Sequence, residues 1–364
     1  MSTTTLFDST TLGALTVPNR IAMAPMTRSR AAVDGTPTEL MSTYYAQRAT
    51  AGLIIAEGTH PTAAGRIGPG APGLHQDAHR LGWSYVANAV HDAGGRIFVQ
   101  LMHAGRLAHP SFLPNGLHPV APSDIAARAE VYTAGGRKAA VRPQALTHEQ
   151  ILDVIDDFAQ SAVRAMAAGM DGVEIHAANG YLLHQFLAEN ANLRTDGWGG
   201  TLDARIRLTV EVVRAVAAAI GPHRVGLRIS PGNQFGGLVE QAPEATYTAL
   251  VQELAQDDLA YLHLVETGTN LDDRIRAVWP SALVIAPMAG RPGDVTKVNA
   301  ANAWLRRGAD LVAFGRGFLA NADLVERLRV GAPLNALAPH GLYGGDHRGY
   351  TDYPTLEQLP AVDA

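Results

Sequence analysis

Apolar residues gather into short runs of strand length, and each run is followed by a stretch with apolar positions at helical spacing. Strands are predicted at 20–26 (RIAMAPM), 52–58 (GLIIAEG), 96–102 (RIFVQLM), 172–177 (GVEIHA), 225–230 (VGLRIS), 260–266 (AYLHLVE), 282–287 (ALVIAP) and 310–315 (DLVAFG). Helices are predicted at 37–51, 79–93, 148–168, 202–220, 243–257, 272–279, 293–307 and 321–329. Strand–helix alternation requires parallel strands joined by crossover helices, and eight repeats suit a closed (β/α)8 barrel, the TIM barrel. A doubly wound open sheet fits less well, because the turn after the first strand, APMTRSR, carries no Gly-rich fingerprint. Residues 1–364 are read as one barrel domain with an N-terminal hairpin.

Local signals fit this frame. Thr36-Pro37-Thr38-Glu39 and Thr147-His148-Glu149-Gln150 read as capping boxes, the first with proline at the opening helical position. Gly52, Gly94, Gly169 and Gly308 stand where helices should stop. One connection is abnormal: roughly 45 residues, from His103 to Thr147, separate the third strand from its helix, far above the usual loop length. Within it, EVYTAGGRKAAV (130–141) reads as a β-hairpin turning at Gly135-Gly136. This excursion, about 104–147, is expected to form a lid over the C-terminal mouth of the barrel.

Composition narrows the function classes. The chain of 364 residues is 47% hydrophobic and 17% charged, enough apolar material for a large core. A net charge of −5 with both signs interspersed leaves no basic stripe, so nucleic acid is not an expected partner. The absence of cysteine excludes disulfides, thiolate zinc sites, iron–sulfur clusters and a cysteine nucleophile. The start, MSTTTLFDSTTLGALTVPNR, has no secretory pattern, and no run of 18 apolar residues predicts a membrane span. A soluble, cytoplasmic protein is expected.

Several polar residues sit within or at the ends of barrel strands. In VGLRIS, Val225, Leu227 and Ile229 share one face, which leaves Arg228 pointing inward. A buried guanidinium needs an acceptor: either an internal carboxylate, Glu174 or Glu57, or the electron-rich edge of a ligand. Gln100 and Met102 share an inward face in the third strand, where the glutamine is either a satisfied core group or a ligand contact. The loops PMAGRPGD and GRGF follow strands seven and eight, the places where phosphate-using barrels hold an anion. Gly290 and Gly315 allow close backbone approach there and Arg316 adds a fork of donors; ordinary turn glycines are the alternative, weakened by the two loops occurring together. The first strand ends in APMTR, which is either turn chemistry or a surface presenting the Thr27 hydroxyl to a flat ring. His176 and His184 stand eight apart, and with His103 or His263 they make no standard ligand spacing, so no metal site is expected.

Taken together, VPNRIAMAPMTR (17–28), QLMHAGR (100–106), GVEIHAANGYLLHQFL (172–187), NLRTDGWGGTLDARIRLTVEV (192–212), VGLRISP (225–231), FGRGFLANADLVERL (314–328) and YGGDHRGYTDYP (343–354) resemble the Old Yellow Enzyme family of FMN-dependent ene-reductases. The resemblance spans nearly the whole chain in order. It implies non-covalent FMN at the barrel mouth, with Pro25, Met26 and Thr27 along one edge of the ring and Ala56 nearby. Gln100 would meet the pyrimidine end and Arg228 the N1/C2 region. Ala289, Gly290, Arg291, Gly315 and Arg316 would hold the phosphate.

It also implies roles for the polar trio of the HAANGY stretch. His176 and Asn179 would donate to the carbonyl oxygen of an α,β-unsaturated substrate. Tyr181, a phenol with a reference pKa near ~10, would protonate the α-carbon. NADPH or NADH would supply the hydride by way of the flavin. Thr27, Met102 and Tyr350 would complete the substrate pocket. Two departures stand out: many relatives carry Trp at Met102, and several carry an aromatic where Ile67 and Gly68 stand. A homo-oligomer is compatible with this reading. Two other classes share parts of the pattern: a metal-dependent or phosphosugar-converting barrel without flavin, and a non-catalytic ligand-binding barrel.

Overall fold

The computed structural model describes residues 4–288, 295–338 and 340–359. Its centre is a closed barrel of eight parallel strands: β1 (Ile21–Met23), β2 (Leu53–Thr59), β3 (Ile97–Leu101), β4 (Gly172–Ala177), β5 (Val225–Ile229), β6 (Tyr261–Val265), β7 (Ala282–Ala286) and β8 (Leu311–Phe314). Each strand pairs with the next in chain order, and β8 pairs back onto β1. These are the eight predicted runs, trimmed or shifted slightly at their ends.

Both faces of the strands are buried, which is why they read as continuous apolar runs. Val99, Val173, Ile175, Leu227, Leu262 and Ile285 join the cluster that includes helix residues such as Phe158, Val212 and Leu250. Ala22, Ile55, Phe98, Tyr261 and Val284 form a separate inner cluster with Leu12 and Val17. The last two belong to an N-terminal hairpin, Thr10–Leu12 against Leu15–Val17. Gly13 at its turn lies against His223 and Ala260, just ahead of β5 and β6, so the hairpin plugs the N-terminal end of the barrel. The opposite end stays open.

The helix at His148–Ala167 begins with the predicted reciprocal box: Gln150 N–H donates to Thr147 Oγ1 at 3.3 Å and Thr147 N–H donates to Gln150 Oε1 at 2.9 Å. The box at Thr36 does not form. Thr36 gives both its N–H and its hydroxyl to Asp34, each at 2.9 Å, and the helix starts at Glu39. Gly94, Gly169 and Gly308 follow helix ends with positive φ, but Gly52 leads into β2, where its N–H donates to Asn19 Oδ1 at 2.9 Å. The last helix, predicted over 321–329, forms as Leu324–Val330, and a short helix that was not predicted, Arg316–Ala320, precedes it.

The long excursion after β3 packs against the loops at the open end of the barrel. Its hairpin pairs Glu130–Thr133 with Gly136–Ala139, and Thr133 opposite Gly136 places the turn at Ala134-Gly135, one residue earlier than predicted. Ala127 and Val131 bury against Leu107, and Tyr181 packs on this cluster. On the other side of the mouth the C-terminal segment is stitched down by two arginines. Arg28 donates to the carbonyls of Leu342 and Gly349, both at 3.0 Å, and Arg30 to that of Gly341 at 2.8 Å. No helix among the described residues is long and apolar enough to cross a membrane.

Candidate active site

Strand register assembles a polar layer at the open end. Gln100 on β3 stands beside Glu174 on β4, and His176 on β4 stands beside Arg228 on β5, which in turn neighbours His263 on β6. Glu174 commits both oxygens within this layer. Gln100 Nε2 donates to its Oε1 at 2.7 Å, and His263 Nδ1 donates to its Oε2 at 2.8 Å. Burial opposes its charge, but His263, Arg228 and Gln100 outweigh burial and hold the carboxyl below its ordinary pKa.

Glu57 is likewise occupied. One oxygen accepts the N–H groups of Arg28 and Ser29 at 3.0 and 3.2 Å, and the other accepts from Tyr45 at 3.3 Å. This fixes the backbone immediately after Thr27. Both carboxylates proposed as internal partners of Arg228 are therefore taken. Its Nε is buried without a partner among the described residues, and burial pulls its pKa down despite the nearby Glu174. A cation held this way is poised for an electron-rich guest.

Two adjoining cavities meet at Arg228. The larger, about 480 Å³, is bounded by Pro25, Met26 and Thr27 after β1, Thr296 beyond β7, Gly315 and Arg316 after β8, and Leu342 and Tyr343 from the C-terminal segment. A methyl built on Gly315 would come no nearer than 3.5 Å to Met26 Sδ, so the glycine leaves open space in this cradle. The smaller cavity, about 270 Å³, shares Pro25, Thr27 and Arg228 and adds Gly58, Gln100, Met102, His176, Asn179, Tyr181, Asn233 and Phe235. With one Nε2 hydrogen committed to Glu174, Gln100 offers a ligand the acceptor Oε1 and its second N–H. A flat heterocycle with a donor edge, an electron-rich edge and a phosphate tail suits this set: Gln100, the orphaned Arg228 and the Gly315–Arg316 turn complement those three features. FMN has all of them.

The polar trio of the HAANGY stretch converges on the smaller cavity. His176 is buried with Nδ1 unpartnered; burial, followed by the Arg228 charge, pushes its pKa well below the ordinary value, so the imidazole is neutral and carries one N–H. Asn179 sits in the left-handed region at φ 51°. Its N–H donates to Ser230 Oγ at 2.8 Å and its Oδ1 accepts from Asn233 Nδ2 at 3.4 Å, which leaves Nδ2 free to donate. Tyr181 stands 5.4 Å from His176, ring to ring, and burial with the neighbouring Tyr343 pushes its phenol up to about 12.

Other expectations are sorted by the geometry. Tyr350 does not wall the substrate pocket. It is fully buried, stacked on Tyr44 at 4.0 Å with the Arg30 guanidinium 4.0 Å from its ring centre, and it anchors the C-terminal segment. Tyr343, seven residues earlier, reaches the larger cavity instead. Ala56 lines neither cavity; its side chain lies in the cluster between strands and helices, so only its backbone is available to a ligand. Ala289, Gly290 and Arg291 lie outside the described residues. His184 Nδ1 accepts the Gly180 N–H at 3.0 Å. Sequence reasoning missed Asn233 and Phe235. Their signal was position: they follow β5 within a few residues, on the face of the barrel that carries sites.

Residues 5–335 match the NADH:flavin oxidoreductase / NADH oxidase family. A putative 12-oxophytodienoate reductase 6 of Oryza sativa subsp. japonica is 38% identical, covering 94% of this chain and 88% of its own length. A probable flavin mononucleotide-dependent alkene reductase of Leishmania infantum is 37% identical over 95% of this chain and 96% of its own. The structure of morphinone reductase in complex with tetrahydroNAD superposes with a TM-score of 0.91 at 43% identity, covering 97% of this chain and 98% of that one. The chain belongs to the NADH:flavin oxidoreductase / NADH oxidase family and is an Old Yellow Enzyme relative, an FMN-dependent oxidoreductase that uses NAD(P)H.

Proposed function

We propose that the substrates are activated alkenes, meaning α,β-unsaturated carbonyl compounds, maleimides and nitroalkenes, reduced across the C=C bond with Tyr181 as proton donor. Pro25, Met26 and Thr27 would line the FMN ring, with the Ala56 backbone near it. Gln100 and Arg228 would meet the ring's polar edges, and Gly315 and Arg316 the phosphate, joined by Ala289, Gly290 and Arg291. When bound, FMN supplies a hydride taken from NAD(P)H.

The observation that carries the reading is the shared boundary of the two cavities. A substrate held by His176 and Asn179 lies against the wall formed by Pro25, Thr27 and Arg228. The neutral His176 N–H and Asn179 Nδ2 aim at the substrate oxygen, where negative charge develops as the β-carbon gains hydride. Tyr181 gives its proton to the α-carbon. The phenolate left behind is strongly disfavoured in a site that raises its pKa to about 12, so it regains a proton from solvent. Thr27 and Met102 bound the substrate, and Tyr343 takes the mouth position expected of Tyr350.

The test separates the half-reactions. Yellow protein should bleach with NADPH or NADH without oxygen and regain its colour on addition of cyclohexenone. A colourless protein that takes up no FMN, or a bleached one that an enone cannot reoxidise, would contradict the reading. Tyr181→Phe should slow the cyclohexenone step on the order of a hundredfold while bleaching changes little. A nitroalkene, which protonates readily from solvent, should show a much smaller loss.

Pocket shape makes a second prediction. A Cβ added at Gly58 would lie 2.1 Å from Met102 Cε, so the glycine is what lets the thioether fold aside. Gly58→Ala should drive Met102 into the smaller cavity and shift kcat/KM roughly tenfold against enones with bulky β-substituents relative to cyclohexenone. An unchanged ratio would show that Met102 does not set the space.

A further inference from the structure

Behind the donor turn lies a buried pair that takes no part in the proposed chemistry. His184 Nδ1 accepts the Gly180 N–H at 3.0 Å, so in the neutral ring the proton sits on Nε2. That nitrogen lies 3.3 Å from Glu240 Oε1, in contact but outside hydrogen-bond alignment, and among the described residues neither atom has a hydrogen-bond partner; the His184 and Glu240 side chains are 0% and 2% exposed. The other carboxylate oxygen of Glu240 accepts the Gly232 N–H at 2.6 Å. Tyr247 packs edge-on against the imidazole, 6.4 Å between ring centres.

The pair joins two loops that both reach the smaller cavity. Asn179 and Gly180 are consecutive left-handed residues, at φ 51° and 81°, between His176 and Tyr181. A turn of this kind needs external bonds to hold it. Gly180 also passes so close to the neighbouring loop that a Cβ on it would lie 2.5 Å from the Phe235 carbonyl oxygen. Within that loop Phe235 N–H donates to Asn233 Oδ1 at 2.9 Å, and Asn233 in turn orients the Asn179 amide. Glu240 thus buckles the loop after β5 at Gly232 and, through His184, grips the turn after β4 at Gly180.

We propose that Glu240 and His184 are positioning residues: the carboxylate backs the imidazole across a 3.3 Å contact, and the imidazole sets Asn179 and Tyr181 in the cavity from behind. The inference rests on the donor roles assigned to those two residues. Neither Glu240 nor His184 touches the substrate.

Glutamine at 240 keeps the shape but only one acceptor, so either Gly232 N–H or His184 Nε2–H must face an amide NH2. Glu240→Gln should slow reoxidation of the reduced enzyme by cyclohexenone on the order of tenfold, through misplacement of the donors. In an Asn179→Ala/Tyr181→Phe background the same change should cost less than about twofold, because the groups it positions are gone. The full tenfold loss persisting there would reduce the pair to a general structural element and overturn the proposal. At 184, asparagine can place Oδ1 where Nδ1 now stands. His184→Asn should therefore stay within about threefold of the parent, and His184→Leu should fall about tenfold, both retaining the bound-flavin spectrum. Equal losses in the two variants would also overturn it, and this comparison decides the matter if Glu240→Gln does not fold. Wild-type rates in the Asn179→Ala/Tyr181→Phe enzyme would instead remove the donor roles themselves, a distinct result.

Discussion

Arg228→Met should yield a protein that folds and melts close to the parent yet purifies largely without flavin. The physical grounds lie in what surrounds the guanidinium. Glu174 is held by Gln100 and His263, Glu57 holds the backbone after Thr27, and Arg228 Nε is left buried without a partner. A half-buried guanidinium whose Nε has no partner among the described residues adds little to the stability of the empty fold, and an apolar side chain of similar length removes its desolvation cost. For a bound ring the balance reverses. A charge-assisted hydrogen bond to an electron-rich edge contributes about 2–3 kcal/mol, on the order of a hundredfold in Kd. The flavin-to-protein ratio after purification and a fluorescence titration with FMN measure the loss, and thermal melting of the FMN-free protein measures the fold. Unchanged FMN affinity together with a large drop in melting temperature would make Arg228 a structural residue and remove the main support for the ring's placement.

The barrel was legible in the sequence because each strand is buried on both faces and its helix follows at once. Local pattern therefore carried the architecture, and the long excursion was legible as one connection too long for its place. Arg228, Gln100 and the His176–Asn179–Tyr181 trio stood out for a related reason, being polar residues where a barrel strand is otherwise apolar. What could not be read depends on contacts between distant segments. Tyr350 belongs to a motif that also contains the exposed Tyr343, and the buried Arg28, Arg30 and Arg48, about 300 residues earlier, hold it inward on Tyr44. Thr36 lost its cap to Asp34, a competition between two local hydrogen-bonding patterns that sequence leaves open. The link from Glu240 to His184 crosses the gap between two loops, and nothing in either loop announces the other.

His176→Ala should lower the rate of enone reoxidation by two to three orders of magnitude, the cost of losing one preorganised donor at a developing oxyanion. The donor is a neutral N–H. Burial, aided by the Arg228 charge at the same register, holds the imidazole pKa well below its ordinary 6.5. The ring is therefore neutral from pH 6 to 9, and the enone half-reaction should show no step from His176 in that window. A rate that rose as pH fell through 6.5 would mean that the imidazolium is the working form, and the assignment would fail. The same shift bears on stability. Because the folded-state pKa lies below the unfolded one, His176 favours folding above pH 6.5 and loses that contribution as pH falls and the unfolded chain takes up the proton. The alanine variant lacks this liability, so its melting temperature should decline less steeply than the parent's between pH 6.5 and 5, even as its turnover collapses. His176→Asn, which restores an N–H donor in a shorter side chain, should recover part of the lost rate. An asparagine variant no faster than alanine, in a protein that still holds its flavin, would show that the imidazole contributes something other than a hydrogen bond.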